Sequence, residues 1–402
     1  MDFSLSEAHE HLRRRCRELA AEFATRAMEH DRDGSRPTEN YDRLRREGFL
    51  ELSVQKELGG AGSGFLGHVI AYEALGHGCP STALSFNMHA SVVMPLLSSP
   101  EVSLEAKRYV ADLVVRQGKL ISGNYSEATS TGIIGERWLD TVIRKVPGGW
   151  QITGRKMFAS MIEDADYCLV LARPETAIAP TAGAFVLIPR VAEGRSIIKN
   201  WNTMGMRATR SDSLVLDACH LEDQAVVYQS DDIRPFRNQT AVWGWGSYTA
   251  VYLGVAGAAY EELLRVVKER LPPGYAQPLA YHPDVRRQVA LLSVELESAR
   301  LMMYRAAWLY DSEGPTQHAN IALFRAKYVV GEAAANISRV ALRLAGAHGV
   351  FKGNRLELLF RDGALGSLHT PPSDFCLWTL GIHELGLDPE AVLPAMKPLS
   401  WQ

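Results

Sequence analysis

The chain lacks the cysteine pattern of a stapled or zinc-bound scaffold. Its five cysteines, Cys16, Cys79, Cys168, Cys219 and Cys376, are odd in number, scattered and without a C-x-x-C pair, so reduced core or surface thiols are expected. Long apolar runs are also missing. No stretch approaches the roughly 18 apolar residues of a bilayer-spanning helix, and the first twenty residues carry the charged, amphipathic spacing of a helix instead of an apolar signal core. A net charge of -3 gives no basic footprint for nucleic acid. The expectation is a cytoplasmic protein with no nucleic-acid partner, no membrane insertion and no metal site. No G-x-G-x-x-G follows a strand. The glycine-rich stretch at 59–64 has neither the preceding strand nor the Lys-Ser/Thr of a phosphate cradle, and reads as a plain turn.

What is present is ordinary in bulk and specific in detail. The 402 residues, 47% hydrophobic and 22% charged, suffice for two or three packed domains. In the amino-terminal third, Ser4 and Glu7 can form a capping box, and Leu12, Cys16, Leu19 and Phe23 then recur at helical spacing. Further helices are predicted over 41–47, 67–76, 82–97 and 103–117, divided by Gly and Pro turns. From about Leu120 the pattern turns to short β-branched and aromatic segments. Residues 141–146 and 150–153 flank Pro147-Gly148-Gly149, a hairpin signal, and 167–172, 184–188 and 213–216 read as further strands. After Gln229 the chain is helical again, with long amphipathic runs over 246–268, 283–310 and 317–344 joined by short loops. The expected architecture is α+β: an α-helical domain over 1–119, a β-barrel or sandwich over 120–230, and a four-helix bundle over 231–402.

The chemistry is sought in residues 343–372, RLAGAHGVFKGNRLELLFRDGALGSLHTPP, where a small-residue turn ends one helix and an amphipathic segment leads through Arg361-Asp362 to prolines. This stretch resembles the carboxy-terminal signature of the acyl-CoA dehydrogenase superfamily: a Q-x-x-G-G-x-G turn, an Arg-Asp pair, then Tyr-Glu-Gly-Thr. In that ungapped register Arg343 stands where the glutamine is usual, and Thr370 where the catalytic glutamate is usual. WNTMGMRATRS at 201–211 is similar to the family's W-x-T-x-G-M-R-x-T-x-S, and GRKMFAS at 154–160 resembles G-x-K-x-W-I-T/S. NYSE at 124–127 looks like the start of the T-E-P-x-A-G-S-D loop without its Pro and Gly-Ser-Asp ending.

The resemblance implies an FAD site in which Phe158 covers the isoalloxazine, Ser160 reaches N5, and Tyr125 and Ser126 lie against the flavin. It also implies that Arg270, Arg343, Gly346 and Ala347 meet the adenosine and pyrophosphate end of a neighbouring subunit's cofactor, hence a homo-oligomer, dimer or tetramer. A flavin ring needs apolar and aromatic cover and donors at its nitrogens. Trp243 and Trp245 are able to give that cover, or to serve as core residues at a helix start. His89 and Trp245 are the candidates for substrate contact.

Removing a proton α to a thioester carbonyl needs a base in a desolvated cleft, opposite the flavin. Neither Thr370 nor Gly244, where one family branch carries its carboxylate, is one. His369 is the nearest acid-base group, with an ordinary pKa of about 6.5. Its setting, Leu368-His369-Thr370-Pro371, resembles the Leu-His-x-Pro ending of the superfamily's monooxygenase branch, where a histidine supports the flavin hydroperoxide. For His348 and His383 a structural role is expected. The leading expectation is α,β-dehydrogenation of an acyl thioester on CoA or a carrier protein, with an electron-transfer flavoprotein as acceptor. The alternatives are a two-component monooxygenase that takes reduced FMN or FAD from a partner reductase, and a non-catalytic subunit of the same fold.

Overall fold

Helix α1 (Glu7–Asp33) starts where the Ser6 hydroxyl accepts the His9 amide, and stops at Gly34, whose φ of 57° lies in the left-handed region. The cap is therefore Ser6 and not Ser4. The predicted stripe Leu12, Cys16, Leu19 and Phe23 is buried against the rest of the chain. The computed structural model describes residues 4–128 and 138–388. Of the expected units, 1–3, 129–137 and 389–402 lie outside the described residues.

Helices α2 (Thr38–Arg46), α3 (Gly64–Gly78), α4 (Pro80–Ser98) and α5 (Leu104–Ala111) complete the first unit, α5 running on into a π turn, Asp112–Arg116. Helix α4 is buried along almost its whole length. It is the central rod, packed on α3, on the first strand and on the helices that follow the sheet.

Among the described residues eight strands come next: β1 (Ile121–Asn124), β2 (Val142–Val146), β3 (Gly149–Ala159), β4 (Tyr167–Pro174), β5 (Gly183–Pro189), β6 (Arg195–Ile198), β7 (Asp212–Leu221) and β8 (Val226–Ser230). They pair in the order β6-β7-β3-β2-β4-β5-β8, with β1 parallel beside β4. The Pro147-Gly148-Gly149 hairpin is present as β2–β3. Strands alternate their side chains between two faces, and in β4 and β5 both faces are covered. Cys168, Val170, Ala172, Val186 and Ile188 fill a core inside the β unit, while Leu169, Leu171, Phe185 and Leu187 belong to the core shared with the helices.

The remainder of the described residues is mainly helical: α6 (Arg234–Thr240), a π turn Ala241–Gly246, α7 (Ser247–Glu269), α8 (Pro283–Glu313), α9 (Gln317–Ala345), α10 (Arg355–Ala364) and α11 (Ser373–Glu384). Helices α7, α8 and α9 pack side by side, α10 closes on α7 and α9, and α11 lies on α9. Helix α3 also packs on α7 and α8, so the two helical units share one apolar core. No described helix is long and apolar enough to cross a membrane.

Candidate active site

Two loops set the site, and each is fixed by buried charge. Arg361 pairs with Asp31 of α1 and Glu357 of its own helix and donates to the Met204 carbonyl, while Asp362 accepts the Met206 amide at 2.6 Å. A Cβ on Gly205 would come within 2.5 Å of the Arg361 carbonyl, so only glycine allows α10 so close. The 201–211 loop is thereby clamped to α10. Burial pushes the Asp362 carboxyl up to about 7 against the pull of the Met206 amide. On the second loop, Lys156 of β3 and Glu127 form an ion pair with almost no exposed surface, and Glu127 also accepts the amides of Asp140 and Thr141. The Met157 amide donates to the Ser126 carbonyl at 2.9 Å, which lays the 124–127 segment along the end of β3.

Between these loops and the helices lies a cavity of about 370 Å³. Its β-side wall carries Tyr125, Ser126, Phe158, Ser160, Trp201, Thr209 and Ser211. Its helical wall carries Leu84, Met88 and Val92 of α4, Trp245, Tyr248 and Tyr252 around the start of α7, and His369 and Thr370. A larger groove of about 1120 Å³ runs between α1, α3, α7 and α8, but it is lined by small residues and paired charges and holds none of the residues singled out above. The smaller cavity is the candidate site, because it gathers residues of all four sequence motifs.

Its β-side wall is a row of hydroxyls ending in rings. Ser160 and Ser211 hydroxyls are 2.7 Å apart, Ser211 and Thr209 2.8 Å, and Thr209 donates to the Met206 carbonyl. Phe158, at a left-handed φ of 56°, is 58% exposed and meets Trp201 edge-on at 6.0 Å. Among the described residues the buried Tyr125 hydroxyl has no partner. A flat polar-edged ring is what such a wall suits: apolar faces to cover it, hydroxyls along one edge, and an unsatisfied phenol. A flavin therefore fits the residues present.

On the helical wall His369 stacks on Tyr248, centroids 4.0 Å apart and planes within 1°, and its Nδ1 lies 3.0 Å from the Tyr252 hydroxyl. Burial, and then the nearby Lys327 ammonium, push the His369 pKa down to about 3. Lys327 is itself pushed down to about 8 by burial, and donates to the Gly366 carbonyl. His369 is thus neutral at pH 7 and weakly basic. Among the described residues no aspartate or glutamate lines the cavity.

Two expectations are corrected. His89 is not on the cavity wall: it is buried on α4, with Nδ1 accepting the Ile121 amide and Nε2 3.2 Å from the Leu50 carbonyl. Trp243 gives no cover to a ring in the cavity, since it packs on Phe65 and His68 and its indole lies 3.2 Å from the Tyr310 hydroxyl. Trp245, two residues on and so on the other side of the helix, does reach the cavity. Arg270, Arg343, Gly346 and Ala347 lie outside the cavity; the Arg270 guanidinium donates to the Ala345 carbonyl beside the turn. At 59–64 the Gly60 and Gly62 amides bond to the Gln55 and Val54 carbonyls, which leaves them unavailable to a phosphate. Tyr248, Tyr252, Thr209 and Ser211 were not singled out. The signal for the tyrosines was the spacing 240, 244, 248, 252 along one face.

Comparison with known proteins gives the same picture. Profiles of the acyl-CoA dehydrogenase N-terminal, middle and C-terminal domains match residues 6–102, 129–219 and 243–367. YdbM of Bacillus subtilis (strain 168), itself only provisionally named an acyl-CoA dehydrogenase, is 32% identical over 372 residues, covering 92% of this chain and 94% of its own. The butyryl-CoA dehydrogenase structure from Megasphaera elsdenii superposes with a TM-score of 0.85 at 20% identity, over 96% of this chain and 100% of that one. The methanesulfinate monooxygenase MsuC from Pseudomonas fluorescens shares the fold with a TM-score of 0.82 at 24% identity, over 95% and 97%. With its cavity built for a flat polar-edged ring and all three domain profiles matched, the chain belongs to the acyl-CoA dehydrogenase family and is a flavin-dependent oxidoreductase.

Proposed function

We propose that the protein carries out α,β-dehydrogenation of an acyl thioester, presented on CoA or a carrier protein. The observation that supports this most is the division of the cavity into a hydroxyl-and-ring wall from the β unit and a wall from α4, α7 and the 365–370 segment. That division leaves a flat cofactor on one side and an acyl group on the other. Bound there, FAD supplies the hydride acceptor. Phe158 and Trp201 cover the ring, Ser126, Ser160, Thr209 and Ser211 offer hydroxyls along its edge, and Leu84, Met88 and Val92 keep water from the acyl group. His369 is the group on the facing wall able to take the α-proton, Tyr252 fixes its ring, and Thr370 borders the same wall. The test is anaerobic: a panel of acyl thioesters added to the yellow protein bleaches it if the reading holds, and leaves the colour unchanged if it fails.

The missing carboxylate favours a second reading, in which reduced FMN or FAD from a partner reductase meets oxygen in the same cavity. Then no substrate bleaches the flavin without oxygen, and turnover requires the reductase. An electron-transfer flavoprotein is the acceptor under the first reading.

A homo-oligomer, dimer or tetramer, is part of the proposal. Leu291, Val294, Leu301 and Trp308 form an exposed apolar stripe on α8, and Val350 and Phe351 are exposed beside the 343–347 turn. Arg270, Arg343, Gly346 and Ala347 are then turned to a neighbouring subunit's cofactor. A cytoplasmic setting agrees with five buried, unpaired thiols.

A further inference from the structure

Trp245 borders two spaces. On one side is the cavity; on the other is a void of about 10 Å³, room for a single water, lined by Gly246, Asn320, Leu323, Phe324 and Lys327. It is the one residue common to both. The indole leans on Phe324, centroids 5.4 Å apart, and Phe324 in turn on Phe375 at 6.4 Å. Its backbone is held as well. Trp245 sits in the π turn Ala241–Gly246, its carbonyl accepts the Thr249 hydroxyl at 2.6 Å, and a Cβ on Gly246 would come within 2.8 Å of Phe65 and 3.1 Å of Leu323. Such turns widen a helix locally and re-aim its side chains. With helix and ring both backed, the indole cannot give way to a longer ligand by a small shift.

Beside the same void the chain keeps polar groups with hydrogen-bonding capacity to spare. Among the described residues the Asn320 Oδ1 is buried without a partner, and the Lys327 ammonium bonds to the Gly366 carbonyl alone. An apolar chain that passed Trp245 would meet them, at the cost of burying polar groups without compensation. The cavity itself is small for its task. Pockets for one drug-sized ligand hold roughly 300–1,000 Å³, and this one must take a flavin ring and an acyl group together.

We propose that Trp245 is the specificity-determining stop of the acyl site, admitting compact acyl groups and turning away long chains. The inference rests on the acyl-thioester reading above and names the substrate class within it. Ligands that cannot react test it: alkyl-CoA thioethers from ethyl to tetradecyl, titrated into flavin-loaded wild type, Trp245→Ala and Trp245→Phe. Calorimetry and flavin absorbance follow binding, and circular dichroism and flavin content report the fold. Each buried methylene adds about fourfold in affinity. In wild type the rise levels off at a short chain. In Trp245→Ala the plateau comes several carbons later and the longest thioethers gain about tenfold or more; Trp245→Phe falls between. A plateau at the same length in all three proteins overturns the stop while leaving the acyl-thioester reading intact. Failure of every thioether, carried on CoA and on a phosphopantetheinylated carrier protein alike, to bind any of the flavin-loaded proteins overturns the acyl-thioester reading, and the stop with it.

Discussion

At the scale of single residues, His369 decides between the two enzyme classes. Replacing it with alanine should slow anaerobic bleaching by about 10²- to 10⁴-fold in a dehydrogenase, the range for a positioned acid-base group. In a monooxygenase the same change should leave anaerobic spectra alone and raise hydrogen peroxide release. Its pH behaviour is a separate test. Burial and Lys327 hold its pKa near 3, so the unprotonated form persists well below the ordinary histidine value, and the rate should show no acid limb near pH 6.5. A limb at that pH would mean that another group carries the proton. Carboxylates can also be put back. A Cβ on Gly244 meets nothing closer than the Thr240 methyl at 3.8 Å, so Gly244→Glu can project into the cavity, as Thr370→Glu can from the facing segment. Either should raise the anaerobic bleaching rate about tenfold or more under the first reading. The sequence made His369 and Thr370 legible through an ungapped motif register. It could not show Tyr252 against His369, a contact across 117 positions. Nor could it exclude His89, because α4 mixes apolar and small polar residues around its circumference and periodicity assigns no face to such a helix.

At the scale of elements, the Glu127–Lys156 pair ties the 124–127 segment to β3. Removing one partner of a buried ion pair strands the other, at a cost of about 3–5 kcal/mol. Lys156→Met should therefore lower stability by that order and weaken flavin binding, because the Ser126 segment loses its anchor. The double variant Glu127→Gln/Lys156→Met should regain much of the stability, measured by chemical denaturation. If the single variant is as stable as wild type, the pair is not the anchor. The 343–347 turn makes a second case. Gly346 has a φ of 72°, and a Cβ there would come within 2.6 Å of the Arg270 guanidinium. Gly346→Ala should displace Arg270 and shift the sedimentation profile toward smaller species. Helices and the first hairpin were legible because their periods are local. The sequence marks no separate element at the β1, β6 and β8 strands or the α6 and α11 helices, since they are short and take their shape from the neighbours they pack against.

At the scale of the whole molecule, burial sets the response to acid. Burial holds His68 and His89 near pKa 4 and His369 near 3, below the unfolded value of about 6.5. Between those values the unfolded chain binds more protons, so stability is full above about pH 6.5 and falls as pH drops toward 4. Asp362 works in the other direction: its pKa is raised to about 7, and acid relieves it. Burial also pushes His77 down and Asp311 and Glu295 up, so four histidines stand against three carboxyls and a net loss of melting temperature is expected between pH 7 and 4.5. His68→Gln should flatten that slope, and an unchanged slope would remove His68 from the account. The overall plan of helices, β unit and helices was visible in the order of periodic segments. The single core that joins them was not, because it depends on which strand faces the helices. Leu169, Leu171, Phe185 and Leu187 turn one face of β4 and β5 toward the helices while the other face fills the β unit's own core. The β unit is therefore no portable module: excised or grafted onto another scaffold, it would carry a sticky apolar flank, and any exchange of parts between relatives must move this flank and its helical cover together.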